Sequence, residues 1–144
     1  MKVLMIFLSI FLLSCATAPK GGGETVQLFK QAEDYYQKGL LSEAEASYLK
    51  LSKLSPNVSE VWMKLGNIYV RTGYLDASVR MYEKCIDIDQ KETRCWNNLA
   101  LARIKQAMKV LETGTSQVDI KDDQYEQLNM LYEKLAKVIS VKES

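Results

Sequence analysis

Trp62 and Trp96 stand 34 residues apart, and Leu28 lies a further 34 before Trp62. The same interval separates Ala32, Gly66 and Ala100, and the pairs Tyr35/Tyr69, Gly39/Gly73, Leu41/Leu75, Tyr48/Tyr82 and Leu54/Ile88. A fixed period of this length marks a repeat architecture, in which each unit buries its apolar face only against its neighbours. With two Pro and seven Gly in 144 residues, folds made of many tight β-turns are disfavoured, so the repeating unit is helical.

Within each period the small and turn-forming residues have separate tasks. Ala32, Gly66 and Ala100 let two helices approach closely, and Ala44 and Ser78 are small where a second helix packs on the first. Gly39 and Gly73 end the first helix of each pair, where a left-handed residue is common. Ser42 with Glu45 forms a capping box opening the second helix, and Pro56 stops that helix. The run Trp62-Met63-Lys64-Leu65-Gly66-Asn67-Ile68-Tyr69 carries the order Trp, Leu-Gly, Tyr. The chain therefore resembles the tetratricopeptide repeats, with units at 25–58 and 59–92 and a third that starts at Thr93 and matches through Ala100.

Three departures bear on the architecture. Gln90 replaces the Pro expected after the second unit, which predicts a less sharp turn there. Arg103 stands where the earlier units have Tyr, and from Ala107 the pattern stops. Trp96–Leu111 reads as one continuous helix ending at Thr113-Gly114, followed by a polar loop over 115–121. Asp123 and Glu126 form another capping box. Tyr125, Leu128, Leu131, Tyr132, Leu135, Val138 and Ile139 then follow at three-and-four spacing, an amphipathic helix. The expected fold is all-α: a solenoid of about two and a half repeats over 25–113, then a loop and a C-terminal capping helix over 114–144. A docking helix for a partner is the alternative reading of the last segment.

The first residues read as an address. Met1-Lys2 is a short positive start, and Val3–Leu13 is apolar apart from Ser9. As a helix that run reaches only about 16 Å, short of a bilayer core of about 30 Å, so it suits an export signal and not a membrane span. Its end, Leu12-Leu13-Ser14-Cys15, resembles the lipobox of bacterial lipoproteins. The resemblance implies a signal peptide over 1–14, cleavage before Cys15 and a lipid on its thiol. An ordinary secretory signal with an incidental Cys is the alternative. Ala16 in place of Asp implies, by the same resemblance, passage to the outer membrane, with the protein on its periplasmic face. Residues 15–24, with three consecutive Gly, read as a flexible tether.

Little in the chain suggests catalysis. There is no His, no nucleophile motif and no Gly-rich phosphate loop, so no enzyme activity, cofactor or small-molecule substrate is expected. Asp87 and Asp89, and Asp122 and Asp123, sit at helix ends, where capping and solvation account for them. A net charge of +1 lacks the basic footprint of a nucleic-acid binder. If Cys15 is lipidated and the compartment is oxidising, Cys85 and Cys95 remain as an even pair flanking one turn. A disulfide and plain packing are both open, because the hairpin register places Cys95 near Ile86–Asp87.

In the tetratricopeptide family the first helices of each pair line an inner groove that binds peptides. Carried onto this sequence, the resemblance implies a groove of Phe29, Glu33, Tyr36, Met63, Asn67, Val70, Arg71, Asn97, Leu101, Ile104 and Lys105. Arg71 and Lys105, one period apart, would sit side by side and could meet a carboxylate. Alternatively, Tyr36, Leu101 and Ile104 pack against the last helix. Asn67 and Asn98 resemble the carboxylate-clamp repeats of chaperone adaptors, but Met63 stands where those have Lys. The expectation is a lipid-anchored scaffold with a protein partner. It resembles small lipoproteins of pilus and secretion machines, including pilotins and the tight-adherence pilus lipoprotein. An organiser of outer-membrane β-barrel assembly, or a non-catalytic regulator of cell-wall synthesis, is the alternative.

Overall fold

The computed structural model describes residues 21–119 and 123–143. The expected signal peptide, Cys15 and most of the tether lie outside the described residues, as do Lys121 and Asp122. Among the described residues six helices follow one another: α1 (Gly21–Gln37), α2 (Leu41–Leu54), α3 (Ser59–Arg71), α4 (Leu75–Ile88), α5 (Thr93–Gln117) and α6 (Asp123–Glu143). Successive helices pack in sequence, α1 on α2 through to α5 on α6, and α5 also touches α3. This is an open helical solenoid.

The intra-repeat turns are identical and glycine-dependent. Gly39 and Gly73 take φ of 73° and 83°, the left-handed region costly for other residues. Gly39 N–H donates to Tyr36 O at 3.1 Å and Leu40 N–H to Tyr35 O at 2.9 Å. Gly73 to Val70 O (3.2 Å) and Tyr74 to Tyr69 O (2.8 Å) repeat the pair, the Schellman arrangement that satisfies helix-end carbonyls. The second helix then starts at once, at Leu41. Its N-cap is Leu40 with no side-chain cap bond, which corrects the expected Ser42–Glu45 box: Ser42 already lies inside the first turn.

The inter-repeat turns match as well. Ser55 N–H donates to Leu51 O at 2.8 Å and Asp89 N–H to Cys85 O at 3.0 Å; Val58 to Ser55 O (3.2 Å) and Glu92 to Asp89 O (3.1 Å) follow. Trp62 Nε1 donates to Pro56 O at 2.8 Å, and Trp96 Nε1 to Gln90 O at 3.0 Å. Gln90 thus does not loosen its turn. The bonds that define it are made by the backbone and by the indole, and none needs the proline ring.

Between paired helices a ring fills the space that a side chain gives up. A Cβ on Gly66 would lie 2.4 Å from Tyr82 Cε1, so the absent side chain is what admits the ring. Ala32 and Tyr48, one period earlier, are fully buried. Leu51, Leu65, Ile68, Val61 and Val79 complete the core. Cys85 and Cys95, both fully buried, are joined by a disulfide with Cα atoms 6.3 Å apart, tying α4 to α5.

The ends depart from expectation. Helix α1 already includes Gly21–Glu24, so the part of the tether that is described is helical, with hydrogen bonding carried upstream from the repeat. Helix α5 does not end at Gly114 but runs on to Gln117, and the loop expected at 115–121 starts only at Val118. Gly114 serves packing instead: a Cβ there would meet Leu128 Cδ1 of α6 at 3.5 Å. Ala100 is exposed, not pressed against a second helix, because α5 continues straight where the earlier repeats turn back. Helix α6 packs on α5 and caps the stack there, with Leu111 buried.

Candidate functional site

The first helices α1, α3 and α5 lie side by side and form the concave face. A cleft of about 220 Å³ opens there, lined by Tyr36, Asn67, Val70, Arg71, Tyr82, Asn98, Leu101, Ala102 and Lys105. Six of the expected groove residues meet in it: Tyr36, Asn67, Val70, Arg71, Leu101 and Lys105.

Its floor is a polar cluster. Asn67 Oδ1 accepts from the Tyr82 hydroxyl at 2.8 Å and from Asn98 Nδ2 at 3.0 Å. With the Asn67 oxygen doubly used, its amide N–H groups are the donors it can offer a peptide carbonyl. Burial pushes the Tyr82 hydroxyl well above the ordinary phenol range, so it stays a donor throughout physiological pH.

The wall is cationic. Arg71 stacks on the Tyr36 ring with its guanidinium carbon 5.0 Å from the centroid, and Arg71 Nη1 donates to Tyr36 O at 3.4 Å. Lys64 Nζ stands over the same ring, also at 5.0 Å. Lys64 pairs with Glu33, 2.7 Å away, and Arg71 and Lys105 line the cleft. Such a wall suits an acidic or carboxylate-bearing segment, with apolar Val70 and Leu101 taking a side chain.

Five expected groove residues fall elsewhere. Met63 is only 4% exposed and belongs to the core, since α3 is covered by neighbours on almost every side. Phe29 packs edge-on against Tyr48, ring centroids 5.9 Å apart. Glu33 is spent internally: its carboxylate accepts from Tyr48 (2.7 Å) and Gln37 (2.7 Å) besides pairing with Lys64. Burial alone would raise its pKa, but the bonds from Lys64, Gln37 and Tyr48 together hold it below the usual range. Asn97 is exposed and Ile104 half-buried, both outside the cleft. Conversely, Tyr82 and Ala102 were not expected there. Tyr82 reaches the concave side because Gly66 lets its ring pass between the helices, so the signal for it was the Gly66–Tyr82 spacing.

A second, wider depression of about 580 Å³ lies between the α3–α4 turn and α5, lined by Gly73–Ala77, Arg80, Gln106, Lys109 and Val110. Gln106 donates to Asp76 there, so part of its polar lining is already paired. Among the described residues no group of three or more acidic, Cys or His side chains could hold a metal, and no helix is long and apolar enough to cross a membrane.

Residues 59–92 match the tetratricopeptide repeat family, and the six helices stack as a tetratricopeptide-type solenoid. No curated protein sequence matches the chain. Solved structures share the fold at low identity. The type III secretion translocator chaperone SycD of Yersinia enterocolitica superposes with TM-score 0.58 at 20% identity, over 85% of this chain and 96% of that one. The TPR2B domain of yeast Sti1, solved with pHsp70, gives 0.58 at 15% identity over 80% and 98%. The first TPR of Spaghetti (RPAP3), bound to the HSP90 peptide SRMEEVD, gives 0.56 at 14% identity over 82% and 97%.

Proposed function

We propose that this chain is a non-catalytic scaffold that holds a segment of a partner protein in its concave cleft. We further propose that it works lipid-anchored through Cys15 at the periplasmic face of a bacterial outer membrane, in pilus or secretion-machine assembly. The observation that carries the first part is the convergence of Tyr36, Asn67, Arg71, Asn98 and Lys105 from three successive first helices on one cleft. Asn67 and Asn98 offer amide groups to a peptide backbone, and Arg71 with Lys105 offers positive charge to an acidic side chain or terminus. Structural neighbours support the reading, since SycD has been solved with a peptide of the translocator YopD and RPAP3 with an HSP90 peptide. The anchor rests on the Leu12-Leu13-Ser14-Cys15 sequence.

A photo-crosslinking residue at Val70, in the full-length lipidated chain within its own envelope, tests the partner. Crosslinks to a secretin or pilus subunit support the assembly role. Crosslinks to a barrel-assembly factor or cell-wall synthase move the function there, and none to any protein overturns the cleft. Separately, Cys15→Ala is expected to move the protein out of the detergent phase; unchanged partitioning would sink the anchor.

A further inference from the structure

The third repeat lacks the second helix that the first two possess, and the surface that helix would cover is open. In repeat two, α4 covers Trp62, which is 8% exposed, and sets Tyr82 against Gly66. Lys84, two residues after Tyr82, lays its Nζ 4.3 Å above the Trp62 ring. In repeat one, α2 brings Tyr48 to Glu33, and Lys50 again follows by two, pairing with Glu24 at 3.8 Å, since Leu28 stands where repeat two has Trp62. The equivalent stripe on α5 is Trp96, Ala100, Arg103 and Ala107, all exposed, with Trp96 at 52%. Helix α6 does not fill this seat. It covers the C-terminal continuation of the same stripe, where Leu111 is buried and Gly114 meets Leu128, and brings Tyr132 beside Lys105, Met108 and Glu112, leaving Trp96–Ala107 open.

We infer that the Trp96–Ala100–Arg103–Ala107 face of α5 is a docking seat for one amphipathic helix of a partner protein, distinct from the concave cleft. The occupant's chemistry follows from the two filled seats in this chain. It carries a small residue, then four positions on a large apolar residue opposite Ala100, then two further on a Lys or Arg. Ser78, Tyr82 and Lys84 stand in those places on α4, and Ala44, Tyr48 and Lys50 on α2. The Trp96 indole N–H is already held by Gln90 O, which fixes the ring and leaves its face to receive the cation. The seat also continues an existing interface, because Arg103 pairs with Glu83 of α4 at 2.9 Å.

One difference sharpens the specificity. The residue after the small one is Glu33 in repeat one and Asn67 in repeat two, and each accepts the tyrosine hydroxyl, at 2.7 and 2.8 Å. In repeat three that residue is Leu101, which accepts nothing. A buried tyrosine hydroxyl would lose its partner there, so the seat selects Phe over Tyr.

The test uses the full chain and a labelled peptide of residues 75–88 carrying Tyr82→Phe and Cys85→Ser. A staple across its solvent-facing 76 and 80 positions makes it helical before binding, removing the nucleation cost. Saturable anisotropy is expected, weakened at least about tenfold by Ala100→Glu or, independently, Ala100→Lys, because the counterpart Gly66 lies directly against Tyr82 of the covering helix and either change buries a charge there. Restoring Tyr in the probe should weaken binding by about fivefold or more. Absence of saturable binding overturns the seat. So does binding that ignores both charged variants at Ala100, or that is lost only with Arg71→Glu, which would put the probe in the concave cleft. A dimer in sedimentation that Ala100→Glu dissolves overturns the partner reading in favour of a second copy.

Discussion

At Gly66 the absence of a side chain holds two functions together: the Tyr82 ring fills the gap, and its hydroxyl then reaches Asn67 on the concave face. Gly66→Ala should therefore destabilise the fold by about 1–3 kcal/mol, read as a lowered urea midpoint, and should also disturb the cleft. Small residues at 32 and 66 were legible from their 34-residue interval. Ala100 shares that interval but is exposed, because a residue's spacing does not say whether the next helix turns back to meet it. Met63 was misplaced for a related reason. Its position faces outward in an isolated pair, but α3 is the central first helix and is flanked on both sides. Glu92 is a feature that spacing did not reveal. Hydrogen bonds from the Arg94 side chain, then from the Arg94 backbone N–H, hold its carboxyl at about 2, and it caps α5.

At the scale of elements, Glu33 on α1 ties together Tyr48 of α2 and Lys64 of α3. Its pKa is lowered in the folded state, so its contribution is complete above the unfolded carboxylate value of 4.5 and is lost as pH falls through the lower folded one. Glu33→Gln should cost about 1 kcal/mol at neutral pH and flatten the loss of stability below about pH 4.5, in urea titrations at several pH values. The disulfide joins α4 to α5 across the one turn where Pro is replaced by Gln90. Reduction under native conditions should lower stability by about 2–3 kcal/mol, from the freed denatured-state loop, measured with and without reductant. The paired helices and their glycine turns were readable because backbone geometry demands particular residues there. The length of α5 was not, since Gly114 looks like a stop in sequence and acts as a close-packing residue only because α6 lies on it.

Over the whole molecule, the concave cleft gathers residues one period apart, so their side-by-side placement was visible before the fold was known. Their pairing with Tyr82 needed the structure. Arg71→Glu combined with Lys105→Glu should abolish partner capture by the anchored protein while leaving the helical circular dichroism unchanged; a collapsed spectrum would mean these cations hold the fold together. The repetition of the inter-repeat hydrogen bonds has a consequence for the architecture as a building system. Since the turn after Leu54 and the turn after Ile88 make the same backbone bonds, residues 59–92 form an interchangeable cassette with matching joints at both ends. A second copy spliced in after Glu92 would meet a junction of the same kind as the existing one and lengthen the inner face by one helix. The first cassette's junction would change: its Cys85 would face the inserted copy's Val61, its Asn67 that copy's Lys64 in place of Asn98, and its Glu83 that copy's Tyr69 in place of Arg103, while the last copy's Cys85 would inherit Cys95. The array is thus a ruler whose length can be reset, with the covalent clasp always closing on its final mark.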